Sequence, residues 1–297
     1  MAKILSLICA DNAPLLDTAF LQSMGAPLAR TGFRVLAPAL AVEWPLEPSD
    51  GVPARILQDW RMRVEDKPVD VNCVEAEGRE KTLLVADMDS TMIEQECIDE
   101  LAAFAGKASE IAAITDQAMQ GTLDFEAALR ARVKMLEGLA ASAIDETIRK
   151  RLTYTKGGKT LISTMRSRGH YCALVSGGFE AFTGPVAAHL GFDAHFGNRL
   201  EIKDGHLTGA VESPVLGRAA KKTTLLRLAK ERTVKPAQTL ALGDGANDLD
   251  MIAHAGLGVA FHAKPVTAAA APVCLNHTSL LGILFLQGIA KTDHVTT

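Results

Sequence analysis

The sequence is short of several things, and each absence narrows its function. Its five cysteines (Cys9, Cys73, Cys97, Cys172, Cys274) are odd in number and never form a CxxC pair. A zinc site and a disulfide framework are therefore not expected, and the pattern fits reduced thiols in a cytoplasm. The eight histidines show no ligand spacing. Positive charge is not in excess: the net charge is −4 and no basic stripe occurs, so nucleic acid is not an expected partner. No apolar run is long enough to cross a bilayer, and SLLGILFLQGIA near the end reads as a packed helix. The opening MAKILSLICAD carries one lysine and a short apolar run. Asp11 interrupts that run and no small-residue cleavage site follows, so a first β-strand is expected rather than a signal peptide. No GxxxxGK followed by Ser or Thr exists, which argues against a P-loop nucleotide triphosphatase. GDGAND lacks the third glycine of a dinucleotide fingerprint, and its aspartates would repel a pyrophosphate. There is no internal repeat and no low-complexity tract. A soluble cytoplasmic protein with no membrane partner is the expectation.

What is present suffices for two domains: 297 residues with 48 % apolar content. Residues 1–80 read as a small α+β unit. ILSLICA is a strand, PLLDTAFLQSMGAPLART a helix and FRVLAPALAVEW a second strand; PARILQDWRMRVED is a helix and VDVNCVEAE a closing strand. The charged EAEGREK is the linker candidate. Over 81–297 the grammar becomes short apolar strands followed by helices, the pattern of a parallel α/β sheet. TLLVA, YCALV and TLALG are its clearest strands. A helical stretch inserted after the first, about 97–160, forms a cap; Leu129, Val133 and Leu136 recur there at helical spacing. NRLEIKDGHLTGAVE alternates about Asp204-Gly205, a hairpin signal with no chemistry assigned to it.

All three strands end in chemically loaded loops: DMDST, SGG and GDGAND. In a parallel sheet, ligands bind beyond the carboxyl ends of the strands, so these loops share one edge. A lone DxD is most often a solvated turn, but three such loops at one edge are stronger. Asp87, Asp89, Asp244 and Asp248 would bring several carboxylates into one crevice. Unpaired, that cluster is costly, so a hard divalent cation is implied, and oxygen-only ligands favour Mg²⁺. Mg²⁺ commonly shares itself between a carboxylate or two and a phosphate, which implies a phosphorylated substrate. Ser176 and the glycine-exposed backbone of Gly177 and Gly178, at a following helix start, suit phosphate oxygens. An ordinary glycine turn explains that stretch equally well. Lys221 opens the helical AKKTTLLRLAKE and offers a positive charge, with Lys222 as its rival.

At these residues the chain resembles the haloacid dehalogenase superfamily of phosphotransferases. The resemblance covers roughly Thr82 to Ala290 and includes DMDST, SGG, a downstream lysine and GDGAND in order. The long run DMDSTMIEQECIDELA places it closest to members that hydrolyse O-phospho-L-serine in the last step of serine biosynthesis. Met88 stands where an aromatic residue is common. The resemblance implies Asp87 as nucleophile, giving an aspartyl-phosphate, and Asp89 as general acid and then base. It implies Asp87, the main-chain carbonyl of Asp89 and Asp244 as Mg²⁺ ligands, and Ser176, Gly177 and Lys221 as phosphate holders. Asn247 would assist substrate binding, and Asp248 would orient the metal's water shell or Lys221. Glu96 and Arg132 occupy the positions that read the substrate ammonium and carboxylate in the family. On periodicity alone both read more readily as solvated helix charges than as ligand contacts, and Arg130 competes with Arg132. Met119 and Phe125 resemble the apolar residues that close over the ligand, though core packing explains them too. The N-terminal unit faintly resembles ACT-type regulatory domains; its ligand, and whether the chain forms a homodimer, stay open. Two other readings remain: another small phosphomonoester or acceptor, and a catalytically dead ligand-sensing module.

Overall fold

The computed structural model describes residues 2–26, 28–29, 32–47, 50, 53–119 and 124–296, with backbone only for 116–119. The N-terminal unit runs β1 (Lys3–Cys9), α1 (Thr18–Ser23), β2 (Arg34–Ala37), β3 (Ala41–Leu46), α2 (Pro53–Arg63) and β4 (Val69–Glu75). Its four strands form an antiparallel sheet in the order β2-β3-β1-β4. This is the split βαβ topology of ferredoxin-like units, consistent with the ACT-type resemblance. Strand alternation decides what each face meets. Leu5, Leu7, Val42, Trp44, Val69 and Val71 pack with Leu21 of α1 and Trp60 of α2. Ile8, Ala37, Ala41 and Val74 instead join the core of the rest of the chain.

Two expectations change here. FRVLAPALAVEW is not one strand but the hairpin β2–β3, because the chain reverses after Pro38: Ala39 has φ 57° and the Leu40 N–H donates to Ala37 O at 3.1 Å. The long first helix is reduced to Thr18–Ser23, capped by Asp17, whose side chain accepts from the Phe20 N–H.

The second region opens with β5 (Leu83–Ala86). The chain goes on through α3 (Cys97–Ala105), α4 (Ala108–Met119), α5 (Phe125–Lys134) and α6 (Ser142–Lys150). Then come α7 (Gly158–Ser167), β6 (Tyr171–Phe179), α8 (Glu180–Leu190), β7 (Ala194–Asn198) and the hairpin β8 (Leu200–Lys203) with β9 (His206–Val211). Asp204 and Gly205 both take positive φ at its tip, as the Asp-Gly pair predicts. The chain continues with α9 (Arg218–Glu231), β10 (Thr239–Gly243), α10 (Leu249–His254), β11 (Leu257–Phe261), α11 (Pro265–Ala270), β12 (Val273–Leu275) and α12 (Gly282–Leu286).

Six strands make a parallel sheet in the order β12-β11-β10-β5-β6-β7. Both faces are covered. Leu84, Ala86, Leu174, Leu240 and Leu242 point into one core, and Leu83, Val85, Ala173, Val175 and Ala241 into the other. That is why these strands read as continuous apolar runs. Strand order reverses beside β5: the chain goes to β6 on one side and later to β10 on the other. Such a switch point opens a crevice at the carboxyl ends. Register aligns Ala86 with Leu174 and Leu242, so Asp87, Val175 and Gly243 lie at one level along the carboxyl edge of the sheet.

The two regions are joined by buried polar contacts. The Asp70 carboxylate accepts the backbone N–H groups of Asn276, His277 and Thr278 at 2.7, 3.2 and 3.0 Å. The Asn72 side chain pairs with the main chain of Cys274 in both directions, at 2.8 and 3.1 Å. Glu43 pairs with Arg79, whose guanidinium also donates to Leu286 O and Phe285 O. Among the described residues no helix is long and apolar enough to cross a membrane.

Candidate active site

Asp87 directly follows β5 and is 4 % exposed. Its Oδ1 accepts the Met88 N–H at 2.8 Å and the Lys221 ammonium at 2.7 Å. Lys221 lies on the inward stripe of α9 with Thr224, Leu225 and Leu228. A bare charge on such a stripe would be expelled; here a second carboxylate, Asp248 Oδ1, holds it at 2.6 Å. Lys222, its rival in the sequence, is half-buried, and its charge acts on Asp250, whose ion-pair partner is Arg218. Asp248 is fully buried, and its Oδ2 accepts the Gly245 N–H at 3.0 Å. Gly243 permits this approach, since a Cβ there would stand 2.3 Å from the Asp248 carboxyl carbon.

Asp244, next after β10, completes the cluster: oxygens of Asp87, Asp244 and Asp248 lie within 4.8 Å of one another. Burial, and then the charge of Asp248, push the Asp87 carboxyl well above the usual carboxylate range and raise Asp244. On Lys221, burial pulls the other way, but Asp248 and Asp87 outweigh it and hold the ammonium protonated. Three carboxylates against the one buried ammonium leave the cluster negative, and the exposed Lys264 ammonium, 3.9 Å from Asp244 Oδ2, offsets this only in part. A divalent cation supplies that deficit, and the all-oxygen donor set fits a hard ion.

Asp89 faces the same crevice from two residues beyond Asp87. Its Oδ2 accepts the Ser176 hydroxyl at 2.9 Å and its Oδ1 the Cys97 N–H at 2.9 Å. Ser176 Oγ in turn accepts the Gly178 N–H at 2.8 Å. The SGG segment differs from its expected place. It lies within the extended run of β6, and the helix begins only at Glu180, so no helix terminus is formed by the glycines. Asn247 sits half-buried on the short 3-10 turn between Asp244 and the start of α10.

The cap brings its own charges. Glu96 precedes α3 and accepts the Ser90 hydroxyl at 2.7 Å. Burial, and then the Asp89 charge, push it up to about 7. Arg132, half-buried on α5, donates to Ala128 O at 3.3 Å and feels the charges of Asp99, Glu96 and Asp89. Arg130 is engaged elsewhere, by Glu126 at 2.7 and 2.9 Å and by Val211 O and Ser213 Oγ at 3.2 Å. Phe125 opens α5 behind the Asp124 cap; the Met119 side chain lies outside the described residues.

Sequence reasoning missed two participants. The buried Thr91 hydroxyl reaches Asp244 Oδ1 at 3.4 Å, and the Lys264 ammonium lies 3.9 Å from Asp244 Oδ2. Lys264 follows β11, a fourth parallel strand of the same sheet, and that position was its available signal.

Comparison with known proteins adds an independent line. The profile of the haloacid dehalogenase-like hydrolases matches residues 84–253. The chain is 46 % identical over 215 residues to a phosphoserine phosphatase of Streptomyces coelicolor, covering 72 % of this chain and 52 % of that protein. It thus spans about half the length of that relative. A phosphoserine phosphatase of Methanocaldococcus jannaschii is 42 % identical, over 69 % of this chain and 97 % of its own. Among solved structures, a HAD family hydrolase of Salmonella enterica serovar Typhi aligns with a TM-score of 0.83 at 30 % identity, covering 96 % of this chain and 98 % of that one. A substrate-bound phosphoserine phosphatase complex aligns over 69 % of this chain and 98 % of its own, at 41 % identity and a TM-score of 0.65.

Proposed function

The chain belongs to the haloacid dehalogenase-like hydrolases, and we propose that it hydrolyses O-phospho-L-serine to L-serine and phosphate with Mg²⁺. The observation that carries this reading is the meeting of Asp87, Asp244 and Asp248 around Lys221 at the carboxyl edge of the sheet. Similarity to phosphoserine phosphatases, one of them at 46 % identity, supports the choice of substrate.

Asp87 attacks phosphorus, an Asp87–phosphorus bond forms, and the bond to the serine oxygen breaks. Asp89 delivers a proton to that leaving oxygen, then takes one from the water that cleaves the aspartyl-phosphate. The Ser176 hydroxyl now on Asp89 passes to the phosphoryl group when substrate binds, which releases Asp89 Oδ2 for the proton. Ser176, the Gly177 backbone and Lys221 hold the phosphoryl oxygens, and Asp248 keeps Lys221 aimed at them. Asp87, the main-chain carbonyl of Asp89 and Asp244 would hold Mg²⁺, which supplies positive charge beside the reacting group. On the cap, Glu96 takes the substrate ammonium and Arg132 its carboxylate, with Asn247 as a further contact and Phe125 covering the ligand. The region from residue 81 onward carries this chemistry, with the cap at about 97–160. Residues 1–80 form a separate ACT-like unit that contributes none of the residues named.

Phosphate release from a panel of phosphorylated amino acids and sugars, with Mg²⁺ or EDTA, tests the proposal. O-phospho-L-serine should be the preferred substrate, and EDTA should stop turnover. Preference for a sugar phosphate would remove the roles given to Glu96 and Arg132.

A further inference from the structure

Asn198 ends β7, outside every group named above, yet it is 2 % exposed and three times hydrogen-bonded. Its Nδ2 donates to Gly177 O at 2.8 Å and to Leu216 O at 3.2 Å, while its Oδ1 accepts the Leu216 N–H at 2.7 Å. One carboxamide therefore ties the phosphate-holding end of β6 to Leu216 in the turn that opens α9, five residues before Lys221. The two segments so fixed each present a glycine to the cap. A Cβ on Gly177 would stand 3.0 Å from Phe125 Cζ, and one on Gly217 3.3 Å from Phe125 Cδ1. The Phe125 ring thus sits in a slot with two side-chain-free walls, and any methyl group on either wall would press into it.

We infer that Asn198 is a positioning residue: it holds Gly177 and Gly217 at the spacing that seats Phe125, so that cap closure and the phosphate-holding geometry are set together. The inference rests on the roles proposed for Ser176, Gly177 and Lys221 and deepens them. Rigid backbone segments joined by a satisfied buried amide have one spacing, not a range. A ring that fits only that spacing reports, from the cap, whether the phosphate side is in order.

Gly217→Ala tests the slot without straining the chain, because Gly217 has φ −98° and ψ −166°, extended backbone open to alanine. With O-phospho-L-serine, Gly217→Ala should lower kcat/KM about three- to tenfold, the scale of coupling between touching residues. In a Phe125→Leu background, where the slot is underfilled, the same change should have no effect. Equal factors in both backgrounds would overturn the inference. A second readout needs no turnover: Mg²⁺ with beryllofluoride should protect the amides of 125–134 from hydrogen exchange, and Gly217→Ala should weaken that protection while the melting temperature stays the same. Undiminished protection would also overturn it. Asn198→Ala should lose the same protection, and full protection there would overturn the inference; if that variant folds poorly, Asn198→Asp, which keeps the acceptor for the Leu216 N–H and loses both donors, is held to the same readout. Should O-phospho-L-serine prove not to be a substrate, the proposed function fails, and the exchange experiment still judges the slot.

Discussion

Lys221→Met keeps most of the alkyl chain and deletes the one ammonium between Asp87 and Asp248. Those carboxylates are 4 % and 0 % exposed, so solvent cannot take over the missing charge. Removing one partner from a buried ion pair costs about 3–5 kcal/mol. At about 2–4 °C per kcal/mol, the melting temperature should fall by roughly 6–20 °C. Mg²⁺ should restore part of the loss, because a cation beside Asp87 and Asp244 lowers the repulsion that the variant exposes. Adding Asp248→Asn should restore more, since it removes one of the facing charges; the double variant should melt above Lys221→Met. Turnover should stay about 10²- to 10³-fold down in both, because the phosphoryl oxygens lose a fixed positive partner. Thermal unfolding by circular dichroism, with Mg²⁺ or EDTA, measures the first three effects. A melting temperature within about 2 °C of the wild type, or a double variant less stable than the single, would refute the description of Asp87, Lys221 and Asp248 as a buried ion cluster held together by its one ammonium.

Arg132→Ala should raise KM by roughly 10- to 100-fold, the worth of a charged hydrogen-bonded grip, with a smaller change in kcat because the grip is remote from phosphorus. Steady-state kinetics separates the two, and an unchanged KM would hand the role to another cation. Glu96, pushed up to about 7, is neutral below that pH and cannot hold an ammonium there. KM should therefore rise as pH falls through the region at or below 7, since bound Mg²⁺ offsets part of the shift; the Glu96→Gln variant should show a high, flat KM. Asp70→Ala strips the acceptor from three backbone N–H groups and should lower stability by about 2–3 kcal/mol in urea unfolding. Asp70→Asn should lose less.

The parts of this fold that were legible in the sequence are those where one local signal suffices. TLLVA, YCALV and TLALG are short apolar runs that stop at Asp, Ser and Gly, and a strand buried on both faces has no other way to read. Asp204-Gly205 specified its own turn. The β2–β3 reversal was hidden because Pro38-Ala39 lies inside an unbroken apolar run, and Ala is not a residue that advertises positive φ. The extended course of Ser176–Gly178 was equally hidden: glycines suggest a turn, but here they serve close approach by Asp89 and Phe125. Lys221 and Lys222 are indistinguishable in sequence, and only the rotation of α9 points the first inward. Asn198 gives no signal at all, since its importance lies in two main-chain segments brought together by tertiary packing.

The central claim is that acidic side chains from separate strand ends converge on Mg²⁺ beside a nucleophilic Asp87. A crystal structure of the chain with Mg²⁺ and beryllofluoride tests it most directly. The account requires beryllium bonded to an Asp87 carboxylate oxygen, the ion shared with Asp244, and Lys221 on a fluorine. Beryllofluoride bound elsewhere, or a metal that does not touch Asp87 and Asp244, would contradict it.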